Sequence, residues 1–274
     1  MSDVVLPGVP YSYCPEDVQV QVVIPHVGDP EPLFASVPLW LSQSVPCCVC
    51  IVDTGSSLED WNDLQLLRDS RVEVHSIRAH SYRHRSEPVA VALDFAAAVC
   101  QQQYQFHTHC DVFPMRKDLV ESFMSKCSDE FPVVGYEISD RSHCSGKMAD
   151  LWQGMVGHTA TLVRLPEIRR LGIQWNLSIG WEQFGLSVSC PQDTDTEVPF
   201  NLQLRRLGID PILVGHDKNH QRHITEDFDH CRSFPSSGLY SPVYHKEAGG
   251  WIKDAVEDAR KRLESWTEEV SSYG

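Results

Sequence analysis

Apolar residues in the first 110 positions fall into short runs whose period alternates between strand-like and helix-like. Val18 to Ile24 is a β-branched run closed by Pro25, which predicts a buried strand entering a loop. Leu33 to Leu41 places its apolar residues on a helical face, and Val49 to Val52 is a second buried run closed by Asp53-Thr54-Gly55-Ser56. Ser56 and Glu59 fit a capping box, so a helix is predicted from there to about Asp69. Val72 to Ile77 predicts a third strand, Ala90 to Gln102 a helix, and Tyr104 to Thr108 a fourth strand that runs into His109-Cys110-Asp111. This order predicts an α/β fold, a Rossmann-like, mostly parallel sheet flanked by helices. Ligands in such sheets sit beyond the carboxyl ends of the strands, where Asp53 and Asp111 both fall.

The second half is less regular. Leu119 to Cys127 predicts a helix and Val133-Val134 a short strand, while Met155 to Arg164 fits a strand or a helix start. Phe200 to Leu207 predicts a helix stopped by Gly208, and Ile212 to Val214 another strand. Near the end, Trp251, Ala255, Ala259, Leu263 and Trp266 share one face of a C-terminal helical tail, which packs on the body or on a partner.

Composition narrows the function. A chain of 274 residues can bury a full core. No apolar stretch approaches the roughly 18 residues of a membrane span, and the N-terminus lacks the basic and apolar regions of a signal peptide. A cytoplasmic protein is expected. A net charge of −15 without a basic stripe argues against a nucleic-acid partner. The His/Arg-rich stretch from Arg78 to Arg85 reads as a solvated loop or as a pyrophosphate-facing one. Cys47, Cys48 and Cys50 lie in an apolar run without a second Cys/His pair at zinc-knuckle spacing, and are expected to be buried structural thiols.

The densest set of ligating side chains is His107-Thr108-His109-Cys110-Asp111. On an extended segment, alternate residues point the same way, so His107, His109 and Asp111 are expected to share a face and one cation. Two metal chemistries fit. One is a two-metal hydrolase of the metallo-β-lactamase type, although Val112 stands where that pattern has another His. The other is nucleotide-sugar transfer, in which a cation steadies the departing diphosphate.

The upstream residues favour the second. Val22-Val23-Ile24-Pro25, Leu41-Ser42-Gln43-Ser44-Val45-Pro46 and Ile51-Val52-Asp53-Thr54-Gly55-Ser56 resemble ordered segments of the inverting GT-A glycosyltransferases of family 2. Asp94 stands where those enzymes carry an Asn, and His109-Cys110-Asp111 takes the place of their Asp-x-Asp motif. The resemblance covers Val18 to about Val120.

It implies a GT-A fold with a nucleotide-sugar-binding half at 1–115, an acceptor-binding half at 116–235 and a tail at 236–274. It implies a UDP- or GDP-sugar donor, a hydroxyl acceptor and inversion. Pro25 and Asp53 would line the nucleotide pocket, Asp94 would touch the donor, and His109 and Asp111 would hold a divalent metal. Imidazole in place of a carboxylate favours Mn²⁺ over Mg²⁺. The segment Asp193 to Glu197 resembles the family's acidic acceptor-site run, which implies Asp195 or Glu197 as the base. A late histidine would complete the metal set: His216, with His220 and His223 as rivals. Lys218 and Arg222 would instead neutralise the diphosphate, and Trp152, Trp175 or Trp181 would stack on a sugar or pack internally. A GT-A domain that binds nucleotide without turnover is the non-enzymatic alternative.

Overall fold

The computed structural model describes residues 17–77, 87–139, 153–175, 197–218, 223–231 and 242–271. Its centre is a seven-stranded sheet in the order β3-β2-β1-β4-β7-β6-β8. The strands are β1 (Val20–His26), β2 (Cys47–Asp53), β3 (Val72–Ser76), β4 (Tyr104–Thr108), β6 (Val133–Ser139), β7 (Val156–Arg164) and β8 (Ile212–Lys218). Every pairing is parallel except the two made by β7, which runs against β4 and β6. The expected α/β architecture is therefore present, and Met155 to Arg164 resolves as a strand. A second sheet, β5-β10-β9, joins β5 (Val112–Pro114), β10 (Phe228–His230) and β9 (His223–Ile224).

Helices cover both faces because successive strand residues point to opposite sides. Val20, Val22, Ile24, Val49, Ile51 and Phe106 pack beneath α1 (Glu31–Leu41) and α4 (Leu119–Met124), around Trp40 and Phe123. Val23, Cys50 and Val52 meet α3 (Glu87–Val99), in a cluster that also takes in α5 (Leu165–Leu171) and α6 (Glu197–Arg206). Both faces of the central strands are buried, as in a parallel sheet between helices, with Gln21, Gln105 and His107 as buried polar exceptions to their apolar lining.

The C-terminal helix α7 (Pro242–Ser271) docks on its own chain. Ala255, Val256, Ala259 and Trp266 are buried with Ala35 and Leu39 of α1. Lys117 Nζ donates to the Trp266 carbonyl at 2.7 Å and Arg262 to the Pro114 carbonyl at 3.0 Å.

Two local differences from the sequence reading matter. The cap of α2 (Leu58–Leu64) is Ser57, whose hydroxyl accepts from the Asp60 amide at 3.1 Å; Ser56 is engaged elsewhere. The helix then tightens into a single 3₁₀ turn at Gln65–Leu67. More important, the β1–β2 ladder runs to His26↔Asp53, whereas the β1–β4 ladder stops at Val23↔His107. Pro25 has no amide hydrogen to donate and falls where β1 has already lost its β4 partner. The strand order reverses direction between β1 and β4, and the two part at their carboxyl ends, which is where open α/β sheets place a ligand crevice.

Candidate metal and nucleotide site beyond β1 and β4

One wall of this crevice is the turn after β2. Asp53 Oδ1 accepts from the Ser56 amide at 3.1 Å and also from the Ser56 hydroxyl, and that hydroxyl in turn accepts from the Gly28 amide at 2.8 Å. Gly55 has a φ of 150°, which side chains of L residues rarely adopt, so the turn needs a glycine there. The other carboxylate oxygen of Asp53 is buried without a hydrogen-bond partner among the described residues. His26, paired with Asp53 across the strands, donates from Nε2 to the Gly28 carbonyl at 2.9 Å, and its buried Nδ1 likewise has no hydrogen-bond partner among the described residues. Burial holds the His26 pKa below its ordinary value, against the opposing pull of the Gly28 bond and the Asp53 charge.

The other wall follows β4. Strand geometry ends at Thr108, and the Val112 amide bonds back to the His109 carbonyl at 3.3 Å. This turn breaks the alternation expected from His107 to Asp111. His107 stays within the sheet against Trp175, ring centroids 4.8 Å apart, and its pKa falls to about 3 through burial and then the charge of His158. It is a neutral imidazole outside the ligand group. His109 and Asp111 instead meet His230, with ligating atoms all within 4.8 Å of one another and His230 Nε2 3.5 Å from Asp111 Oδ1. These residues are 9%, 2% and 0% exposed. β10 brings His230 there by pairing with β5, His230 opposite Val112, and the Cys231 amide bonds to the Asp111 carbonyl at 3.0 Å.

His230 was the residue missed from sequence. Its signal is faint: a three-residue strand in Phe228-Asp229-His230-Cys231, whose partner lies more than a hundred residues earlier. His216 sits on β8, three strands away from β4, roughly 14 Å at the usual strand spacing. Its Nδ1 meets Glu137 at 2.8 Å, and its side chain is largely exposed. His223 pairs with His230 on β9, and His220 and Arg222 lie outside the described residues.

Behind the ligand corner, the rings of His109 and His158 stand 4.5 Å apart, and His158 Nδ1 is 3.0 Å from Glu197 Oε1. Glu197 begins α6 and is buried; Asp195 lies outside the described residues. A small pocket beside this pair is lined by His107, His158, Thr161, Trp175, Glu197 and Phe200. Trp175 is buried and stacks on Phe200 at 4.8 Å, the internal packing role. Asp94 accepts from the Trp175 backbone amide at 2.8 Å, which anchors that segment to α3. Trp152, Trp181 and the stretch from Arg78 to Arg85 lie outside the described residues.

Two imidazoles and one carboxylate, gathered and largely dry, suit a divalent transition metal, with nitrogen donors favouring Mn²⁺ or Zn²⁺ over Mg²⁺. No helix among the described residues is long and apolar enough to cross a membrane.

No protein-family model matches the sequence, and no curated protein matches it. Among solved structures, the chain is similar to the mannosyltransferase PcManGT from Pyrobaculum calidifontis in complex with GDP-Man and Mn²⁺. That likeness has 13% identity and a TM-score of 0.49, over 93% of this chain and 76% of the other. S. aureus TarS is similar over 57% of this chain at 11% identity and a TM-score of 0.41. TarS 1–349 is similar over 67% of this chain and 55% of its own length, at 10% identity and a TM-score of 0.43. The chain spans 30% of the length of the longer TarS chain.

Proposed function

We propose that the chain is a metal-dependent glycosyltransferase that moves a sugar from a UDP- or GDP-sugar to a hydroxyl acceptor with inversion. The observation that carries this reading is the meeting of His109, Asp111 and His230 at the end of β4, beside the crevice where β1 and β4 part. Two of the segments that resemble family 2 GT-A enzymes end at this crevice, with Asp53 and Pro25 on the nucleotide side, whereas Leu41 to Pro46 leads into the amino end of β2. A buried carboxylate oxygen on Asp53 and a buried imidazole nitrogen on His26, both open to a partner, support a role in binding the base or ribose.

His109, Asp111 and His230 would hold the cation, with Mn²⁺ preferred. When bound, it would supply charge neutralisation for the diphosphate. The protein's own groups do the rest. A carboxylate must take the proton from the acceptor hydroxyl as that oxygen attacks the anomeric carbon, and Asp195 or Glu197 is the candidate. Glu197 meets His158, whose ring stands 4.5 Å from that of His109, and both Glu197 and His158 line the small pocket. Residues 1–115 would bind the donor and 116–235 the acceptor. A cytoplasmic setting belongs to the same proposal.

The test is a thermal-shift panel of UDP, GDP, CMP and their sugars with and without Mn²⁺. Mass action gives ~2.7 kcal/mol at one hundred times the dissociation constant. A metal-dependent rise for one nucleotide class, lost in His230→Ala, supports the reading. Binding of Zn²⁺ with ester or phosphodiester cleavage and no nucleotide response would replace it with the hydrolase alternative. Nucleotide binding unchanged by Asp195→Ala and Glu197→Ala, with no sugar release from any donor, would replace it with a non-catalytic domain.

A further inference from the structure

A second group of ligating side chains lies on the other wing of the sheet. Cys50 of β2 pairs with Glu73 of β3 in the parallel ladder, and His75 follows two residues later. Period-two alternation sends Glu73 and His75 to one face, the face on which Cys50 meets α3. The ligating atoms of Cys50, Glu73 and His75 all lie within 4.8 Å of one another. Glu73 Oε2 is 3.1 Å from His75 Nε2, whereas Glu73 Oε1 is buried without a hydrogen-bond partner among the described residues. Phe95 of α3 meets the His75 ring edge-on at 5.1 Å.

A thiol packed as a small hydrophobe and a Glu–His hydrogen bond account for part of this arrangement. They leave a dry carboxylate oxygen without a partner, which is a costly state. We propose that Cys50, Glu73 and His75 form a second cation site for a thiophilic divalent metal such as Zn²⁺. Sulfur and imidazole donors select Zn²⁺ over Mg²⁺ or Mn²⁺, and three protein ligands leave a fourth position for water. Ligand atoms around tetrahedral zinc stand ~3.3–3.8 Å apart, a spacing that modest rotations of the Glu73 and His75 side chains reach from here. Those two side chains are 17–21% exposed, which gives an ion an entry, while Cys50 forms the floor. The ion would tie the edge strand β3 to β2 and satisfy the stranded oxygen.

The full-length chain, stripped of metal by a chelator, is titrated with Co²⁺ and followed by absorption. A thiolate-to-cobalt charge-transfer band is expected to saturate at one equivalent per chain and to vanish on adding Zn²⁺. Cys50→Ser abolishes the band. His75→Gln, at a partly exposed position and checked for fold by circular dichroism, weakens Co²⁺ binding at least tenfold. His230→Ala and Cys110→Ser retain the band, which separates this site from the glycosyltransferase reading. No thiolate band in the native chain, a band surviving in Cys50→Ser, or unchanged affinity in a folded His75→Gln would overturn the proposal.

Discussion

The backbone amide of Cys231 donates to the carbonyl of Asp111 at 3.0 Å, and this bond extends the β5–β10 ladder in holding the end of β10 against the turn after β4. Together, ladder and bond set His230 beside Asp111. His230→Ala should therefore lower Mn²⁺ affinity at least tenfold, about 1.4 kcal/mol or more, while the fold survives. Calorimetric titration with Mn²⁺ measures it; affinity equal to the native chain would remove His230 from the ligand set.

Glu197 and His158 give a second expectation. If the Glu197 carboxylate is the base, Glu197→Gln reduces turnover by ~10²–10⁴ while nucleotide affinity holds. His158→Gln, which keeps the carboxylate but loses its 3.0 Å partner, should cost less. Steady-state kinetics with the donor chosen by the thermal-shift panel compare the two. A Glu197→Gln enzyme at native rate moves the role to Asp195.

Buried His26 makes stability fall in acid. Its folded pKa lies below its unfolded value near 6.5, so the unfolded chain binds more protons as the solution acidifies. Stability from this group is complete above about pH 6.5 and is lost as pH falls from there towards the folded pKa, by at most ~1.4 kcal/mol per pH unit. Urea midpoints between pH 7.5 and about 5 should decline less steeply in His26→Gln, whose amide can still reach the Gly28 carbonyl. Parallel declines would show that His26 stays out of this linkage.

Tyr136 donates to Asp227 Oδ2 at 2.6 Å in a buried setting, and Arg116 reaches the other oxygen at 2.7 Å. Burial, then the Asp227 bond, pushes the Tyr136 pKa well above its usual value. Tyr136→Phe leaves a buried carboxylate oxygen short of a donor and should destabilise the chain by about 1–3 kcal/mol in urea unfolding. A loss below about 0.5 kcal/mol would mean that water replaces the hydroxyl.

The fold was legible from sequence where single strands are short runs rich in β-branched and aromatic residues. Val20 to Ile24, Val49 to Val52 and Tyr104 to Thr108 are central strands covered on both faces, so local burial wrote them plainly. His109 and Asp111 were legible as ligating types at a strand end. Their alternation with His107 did not survive, because the chain turns after Thr108 instead of extending. His216 follows an apolar run as a ligand would, but β7 and β6 lie between its strand and β4, an arrangement with no local signature. His230 depends on a three-residue pairing between distant segments, and no window of sequence holds both partners. The helix cap moved by one residue, from Ser56 to Ser57, because Ser56 is drawn to Asp53.

The pairing of β5 with β10 also has a temporal meaning. A growing chain can complete β1 to β4 and the turn at Asp111 long before residue 230 leaves the ribosome. During that interval the corner holds one imidazole and one carboxylate, two of the three grouped side chains. On the proposed reading, cation capture would wait until residue 230 is made, so a product truncated before it would be metal-poor.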